Sequence, residues 1–320
     1  MSAQGQTPRR PRVPRSRDAG PGGERPVAGL TSGSQARTRL FTPVRKDSRM
    51  APTTPSPGSA RAIRVVAHRG ASHEFPEHTI EAYRRAIADG ADALECDVRL
   101  SADGRLVCVH DRTVERTSDG RGVVSELTYE QLAAFDFGGW KGAEHRGARV
   151  LLFEDLLREA LAADRPVGLA VETKHPTRAG GRLEAELVRM LKEYGLADGS
   201  DGRVEVMSFS RNALTRLHRL APGLPSVYLI ERQLRAPRPP FAGHAGPGID
   251  LVRRDPGLVG RLRAKGLRVR VWTVDEPEDV ELCVRLGVET IITNRPRAVR
   301  EQLGARAVAA GADRGRQPAV

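Results

Sequence analysis

VVAHRGASHEFPEHTIEAYRRAIADGADALECDVRLSADGRLVCVHD, residues 65–111, decides the fold. It opens inside an apolar run, IRVVA (63–67), continues through the amphipathic HTIEAYRRAIADG and enters a second run, ALECDVRL (93–100). The short runs predict strands, and the apolar spacing between them predicts a helix. Asp103-Gly104 then lies between two alternating segments, the strongest short hairpin signal, and turns the second strand back towards LVCVHD. His68, Glu95, Asp97 and His110 fall where these strands end.

Outward from this unit the pattern repeats. Strands are predicted at 167–172, 204–209, 225–230, 248–252, 267–274 and 288–293, with helical patterns between them, several closed by Gly. Eight strands with interleaved helices over about 240 residues predict an α/β chain folded as a (β/α)8 TIM barrel. An open doubly wound sheet explains the count less well, and no G-x-G-x-x-G follows the first strand. The barrel is assigned to residues 61–303. A small insertion after the second strand, 111–149, carries a short helix at TYEQLAAFD and is expected to rim one mouth. The weakest unit is the fifth, where ERQLRAPRPPFAGHAGP replaces a proper helix with a Pro-rich connector.

Charge is distributed unevenly. Lys and Arg number 52 against 40 Asp and Glu, but residues 1–60 hold 11 basic and 3 acidic side chains, so +8 of the net +12 belongs to that segment. It is rich in Pro, Gly, Ser, Thr and Arg with Phe41 its lone aromatic, and cannot bury enough apolar surface to offset its conformational entropy. A disordered N-terminal tail is expected there, and a short flexible one at 304–320. With its basic surplus confined to the tail, the barrel is not expected to bind nucleic acid. Three cysteines, Cys96, Cys108 and Cys283, without C-x-x-C spacing, read as buried free thiols in a reducing compartment. No run approaches the ~18 apolar residues of a membrane span, and no apolar segment follows the N-terminal arginines, so a cytoplasmic location is expected.

Successive side chains of a strand point to opposite faces, so Glu95 and Asp97 project together, as do Glu172 and Lys174 in VGLAVETK, with small Gly168 and Ala170 before them. Strand C-terminal ends carry the chemistry of a barrel. Carboxylates converging there repel: two unit charges ~4 Å apart interact by about 4 kcal/mol at an effective dielectric of about 20. One divalent cation, Mg²⁺ or Ca²⁺, with Glu95, Asp97 and Glu172 as oxygen ligands offsets that repulsion; the alternative is a salt-bridge network with Arg69, Lys174 and Arg99. His68 and His110 suit one proton-accepting and one proton-donating role near neutral pH. The other histidines, His73, His78, His145, His175, His218 and His244, are read as helix or loop residues with structural roles. Arg69 and Lys174 match a phosphate's oxygens. Together these groups fit displacement at phosphorus.

At this point AHRGASHEFPEHTIEAYRRAIADGADALECDVRLSADGRLVCVHDRTVERTSDGRG, with VETK, VMSFS and VRVWTVDEPEDVELCVRLGVETIITNRP further on, resembles the glycerophosphodiester phosphodiesterases over residues 63–303. The resemblance implies a (β/α)8 barrel that hydrolyses small-molecule glycerophosphodiesters to glycerol 3-phosphate and an alcohol with one divalent metal. It implies that His68 and His110 are the acid/base pair, Glu95, Asp97 and Glu172 the metal ligands, and Arg69 and Lys174 the phosphate contacts. It adds Glu77, in PEHT, as a site-lining carboxylate and Trp272 as an aromatic wall. Three places depart from the family pattern: His78 stands where Asn is usual, Asp275 where Asn is frequent, and RVLLFEDLL lacks the usual Pro-Thr-Leu. Competing readings are a lysophospholipase D, which needs an acyl trough built from Phe135, Phe137 and Trp140 of the insertion, and a non-catalytic nucleic-acid or membrane binder acting through the tail. Oligomeric state is not legible.

Overall fold

A computed structural model describes residues 62–231 and 241–314, with side chains to residue 306. β1 (Arg64–His68) leads through α1 (Ile80–Ala88) to β2 (Ala93–Leu100), which folds back antiparallel onto β3 (Leu106–Cys108). The insertion follows with α2 (Tyr129–Ala133), then α3 (Phe153–Ala162), β4 (Gly168–Thr173), α4 (Arg182–Glu193), β5 (Val204–Ser208), α5 (Arg211–Leu220) and β6 (Ser226–Ile230). The chain closes with β7 (His244–Pro247), α6 (Ile249–Arg254), α7 (Gly257–Ala264), β8 (Arg268–Val271), α8 (Pro277–Arg285), β9 (Thr290–Thr293) and α9 (Pro296–Arg314). Every strand but β3 pairs in parallel, and β1 pairs with both β2 and β9, so eight strands close into a TIM barrel.

Local chemistry builds the unit that positions the site. Thr79 caps α1, its Oγ1 accepting from Ala82 N at 3.3 Å, and the helix buries Ala82, Tyr83 and Ala86, one face at helical spacing. Tyr83 and Leu94 are fully buried in the shell between strands and helices; each such side chain contributes about 1.5–3 kcal/mol. Inside the barrel Val66, Ala93, Ala170, Met207, Val227, Leu229 and Ile292 pack together. The Asp103-Gly104 turn sets Val98 opposite Cys108 and Leu100 opposite Leu106. The insertion packs Val114, Val124, Leu132 and Phe137, with Phe135 against them, onto Val107 and Val109 before it and Val150 and Leu152 after it, a small core apart from the main ones.

Three expectations are corrected. The segment 248–252 is not a strand: the sixth barrel strand is β7, and Ile249–Arg254 is α6. GIDLV has the apolar content of a strand, whereas HAGP contains residues that strands avoid; the close packing of neighbours selects HAGP. A Cβ on Gly246 would lie 2.7 Å from Leu229 Cδ2, and the Gly246 carbonyl accepts from Trp272 Nε1 at 2.7 Å. His244, expected in a helix or loop, is the first residue of that strand. Lastly, α9 continues to Arg314, past residue 303 where a flexible tail was expected. The tail at 1–60 lies outside the described residues, as do 315–320 and most of the Pro-rich connector. No described helix is long and apolar enough to cross a membrane.

Candidate active site

Strand register assembles the acids. His68 is opposite Glu95 across β1 and β2, and Asp97 is opposite Glu172 across β2 and β4; neighbouring strands lie about 4.8 Å apart. One oxygen from each of Glu95, Asp97 and Glu172 lies within 4.8 Å of the others, and all three residues are buried. Beyond β1 the backbone turns left-handed at Arg69 (φ 57°) and Gly70 (φ 85°), where a Cβ on Gly70 would meet Ala82 at 2.7 Å. A non-glycine residue there stores on the order of 1–3 kcal/mol. The turn aims Arg69 N at Glu95 Oε2, 2.9 Å away, so strain is retained where it holds a site carboxylate.

Cations meet the acids but do not balance them. Arg69 Nε is 3.1 Å from Asp97 Oδ2, and Lys174 Nζ is 3.3 Å from Asp97 Oδ1 and 2.8 Å from Glu172 Oε1. Burial opposes the charge on Asp97, yet Lys174, the His78 hydrogen bond and Arg69 outweigh it and hold its carboxyl well below the usual range. Burial, then the charge of Asp97, push Glu95 well above that range and Glu172 up to about 7. Asp97 Oδ1 is buried without a hydrogen bond. Arg99, counted among the balancing cations by sequence, instead donates to the His110 carbonyl at 3.1 and 2.7 Å.

Both predicted histidines line one cavity of about 400 Å³, together with polar Arg69, Glu95, Glu172, Lys174, His175 and Glu231 and apolar Met207, Phe209, Leu229, Trp272 and Ile292. His68 Nδ1 is 2.7 Å from Asn294 Oδ1; burial, then Arg69, bring its pKa down to about 3, so its ring is neutral. His110 Nδ1 is 2.6 Å from Asp111 Oδ1; burial, then Arg69 and Lys174, lower its pKa against the pull of Asp97 and Asp111. Arg116, from the insertion, donates to Asp111 at 2.5 Å and to both oxygens of Glu77 at 2.8 Å, and Glu77 accepts from Arg69 at 2.9 Å. Glu77 therefore sits behind Arg69, outside the cavity lining. Trp272 meets Phe209 edge to face at 5.4 Å between ring centroids.

Asn294, Asp111, Arg116 and Phe209 escaped the sequence reading. Asn294 and Phe209 directly follow strands β9 and β5, and the strand-end rule applied to every strand would have found them. His78 is more than a loop residue: buried, with φ 61°, it places Nε2 2.9 Å from Asp97 Oδ2 and Nδ1 2.7 Å from the Tyr83 hydroxyl. No acyl trough forms from the insertion's aromatics. Phe135 and Phe137 belong to its core, and Trp140, 40 % exposed, donates its indole N–H to the Phe137 carbonyl. A larger cavity, about 860 Å³, opens between α6 and α7 and carries none of the predicted site side chains.

Residues 68–298 match the model of the glycerophosphoryl diester phosphodiesterase family. A Mycobacterium tuberculosis protein named probable glycerophosphodiester phosphodiesterase 1 is 43 % identical over 244 residues, which are 72 % of this chain and 89 % of that protein. A glycerophosphodiester phosphodiesterase of Caldanaerobacter subterraneus is 33 % identical over 239 residues, 72 % of this chain and 94 % of the relative. The crystal structure of a glycerophosphodiester phosphodiesterase from Agrobacterium tumefaciens superposes with a TM-score of 0.61 at 26 % identity, covering 73 % of this chain and 97 % of its own.

Proposed function

Because the chain belongs to the glycerophosphoryl diester phosphodiesterase family, we propose that it hydrolyses glycerophosphodiesters to glycerol 3-phosphate and an alcohol, using one divalent cation and a histidine pair. The supporting observation is a cavity lined by Glu95, Glu172, two cations and two imidazoles, with buried Asp97 within 4.8 Å of both carboxylates.

The donor set fits a hard cation. All three side chains offer oxygen, Asp97 Oδ1 has no hydrogen bond, and the raised pKa values of Glu95 and Glu172 mark a shortage of positive charge. Glu95, Asp97 and Glu172 would hold Mg²⁺ or Ca²⁺, which when bound supplies Lewis-acid stabilisation of charge on the phosphoryl oxygens. Arg69 and Lys174, both at the cavity, orient the phosphate and stabilise the same charge. Of His68 and His110, one accepts a proton from the attacking oxygen, that of water or of the substrate's glycerol hydroxyl, and the other donates to the departing alcohol. Met207, Leu229, Trp272 and Ile292 add apolar surface to the lining, which lowers the local dielectric and strengthens the electrostatic contacts there. A cytoplasmic location belongs to the same proposal, supported by three free, buried thiols.

The test is turnover of glycerophosphocholine with Mg²⁺ or Ca²⁺. His110→Ala and His68→Ala are each expected to lower kcat by about 10²- to 10⁴-fold; near wild-type turnover in either would refute the histidine roles.

A further inference from the structure

The two imidazoles of the cavity are backed by different groups. Behind His110 stands a carboxylate, Asp111, and behind His68 an amide, Asn294. An amide can present either end to a ring, and its neighbours decide which. Asn294 Nδ2 lies 2.6 Å from Asp275 Oδ2. The other oxygen of Asp275 accepts from the Asn294 backbone N–H at 2.7 Å and from the Thr293 hydroxyl at 2.9 Å. A carboxylate accepts and does not donate, so the amide –NH2 faces Asp275 and the carbonyl oxygen faces His68. Ser72 Oγ lies 2.7 Å from both that oxygen and the His68 carbonyl, two acceptors that compete for its single proton. An acceptor 2.7 Å from Nδ1 needs a proton there, which leaves the lone pair of the neutral ring on Nε2.

We infer that Asp275 and Asn294 are a positioning pair: they fix His68 in the tautomer whose lone pair is on Nε2, which leaves that nitrogen ready to accept a proton. This rests on the acid/base reading above and deepens it by naming the groups that hold one of its two histidines in a single tautomer. As the attacking oxygen bonds to phosphorus, its proton passes to His68 Nε2. The bond from phosphorus to the leaving oxygen breaks with its electron pair on that oxygen, which takes a proton from the His110 imidazolium. If the attacker is the glycerol hydroxyl, the cyclic diester then adds water with the proton traffic reversed. With water as the attacker His68 ends protonated and His110 neutral, and exchange with solvent resets both; in the two-step route the second step itself restores them.

The experiment begins with the wild-type enzyme labelled with ¹⁵N-histidine, with His68→Gln identifying the His68 signals by their loss. A protonated Nδ1 and an unprotonated Nε2 are expected at neutral pH; a proton on Nε2 would overturn the inference, whatever any variant does. Asn294→Ala should then lower kcat by about 10²-fold or more with KM moving less than about 3-fold, and should give His68 a mixture of tautomers. The exchange variant, Asp275→Asn with Asn294→Asp, keeps an acceptor at Nδ1 and should recover at least about 10-fold of that loss. A wild-type kcat in Asn294→Ala, or an exchange variant with the wild-type melting temperature and no recovery, would overturn the pair's role. Failure of wild-type protein to hydrolyse any glycerophosphodiester would instead strike the underlying reading, and the tautomer is measured independently of it.

Discussion

Buried charge is handled differently in two parts of the barrel. Two residues before Met207 and Trp272, on the same inward faces, Glu205 meets Arg270: Nε lies 2.9 and 2.8 Å from its two oxygens and Nη2 2.5 Å from one. Burial opposes the charge on Glu205, but Arg270 outweighs it and lowers the pKa. One acid faces one fork-shaped base. At the mouth the residue types are similar, yet three acids share Arg69 and Lys174, and Glu172 is pushed up to about 7. The deep pair is matched charge for charge within the chain, although Arg270 Nη1 is buried without a hydrogen bond. The mouth is short of positive charge, which is the signature of a place kept for something that arrives.

That contrast is open to measurement. The largest effect is expected from Arg270→Met, which strands a buried Glu205: a loss of about 3–5 kcal/mol in denaturant unfolding, whereas a loss below about 1 kcal/mol would show that the deep pair is no better matched than the mouth. At the mouth the sign reverses. Glu172→Gln removes excess charge and should stabilise the chelator-treated protein by about 2–3 kcal/mol at pH 8, while abolishing turnover. The pH profile of the same chelated protein follows from the raised pKa. Between about 4.5, the ordinary value, and about 7 the folded state holds a proton on Glu172 that the unfolded state has released. Stability therefore falls as pH rises through that window and levels off above it. Saturating Mg²⁺ or Ca²⁺ should remove the decline, adding about 2.7 kcal/mol at a hundredfold excess over Kd; an unchanged profile would mean that the acids do not hold the ion. The smallest effect is expected from Arg116→Ala. It touches Glu77 and Asp111 but is largely exposed, so thermal unfolding should move by less than about 1 kcal/mol.

Much of this was legible in the chain. Glu95 and Asp97 share a face because a strand alternates, and the hairpin returning the chain to His110 follows from Asp103-Gly104. The strand at HAGP was not legible, because Gly and Pro carry no strand signal and only the Leu229 and Trp272 neighbours explain them. Nor was the environment of the histidines. Asn294 is separated from His68 by 226 positions, and the closing of β9 onto β1 is what brings them together.

By itself, the sequence determined the alternation, the turn and the kinds of side chain at the strand ends, because these depend on residues a few positions apart. Only the tertiary structure decided which acids lie within reach of one another, which end of an amide meets a ring, and which buried charge is matched. Those depend on distances of a few ångströms between strands remote in the chain, and on a burial that multiplies the electrostatic consequence of each.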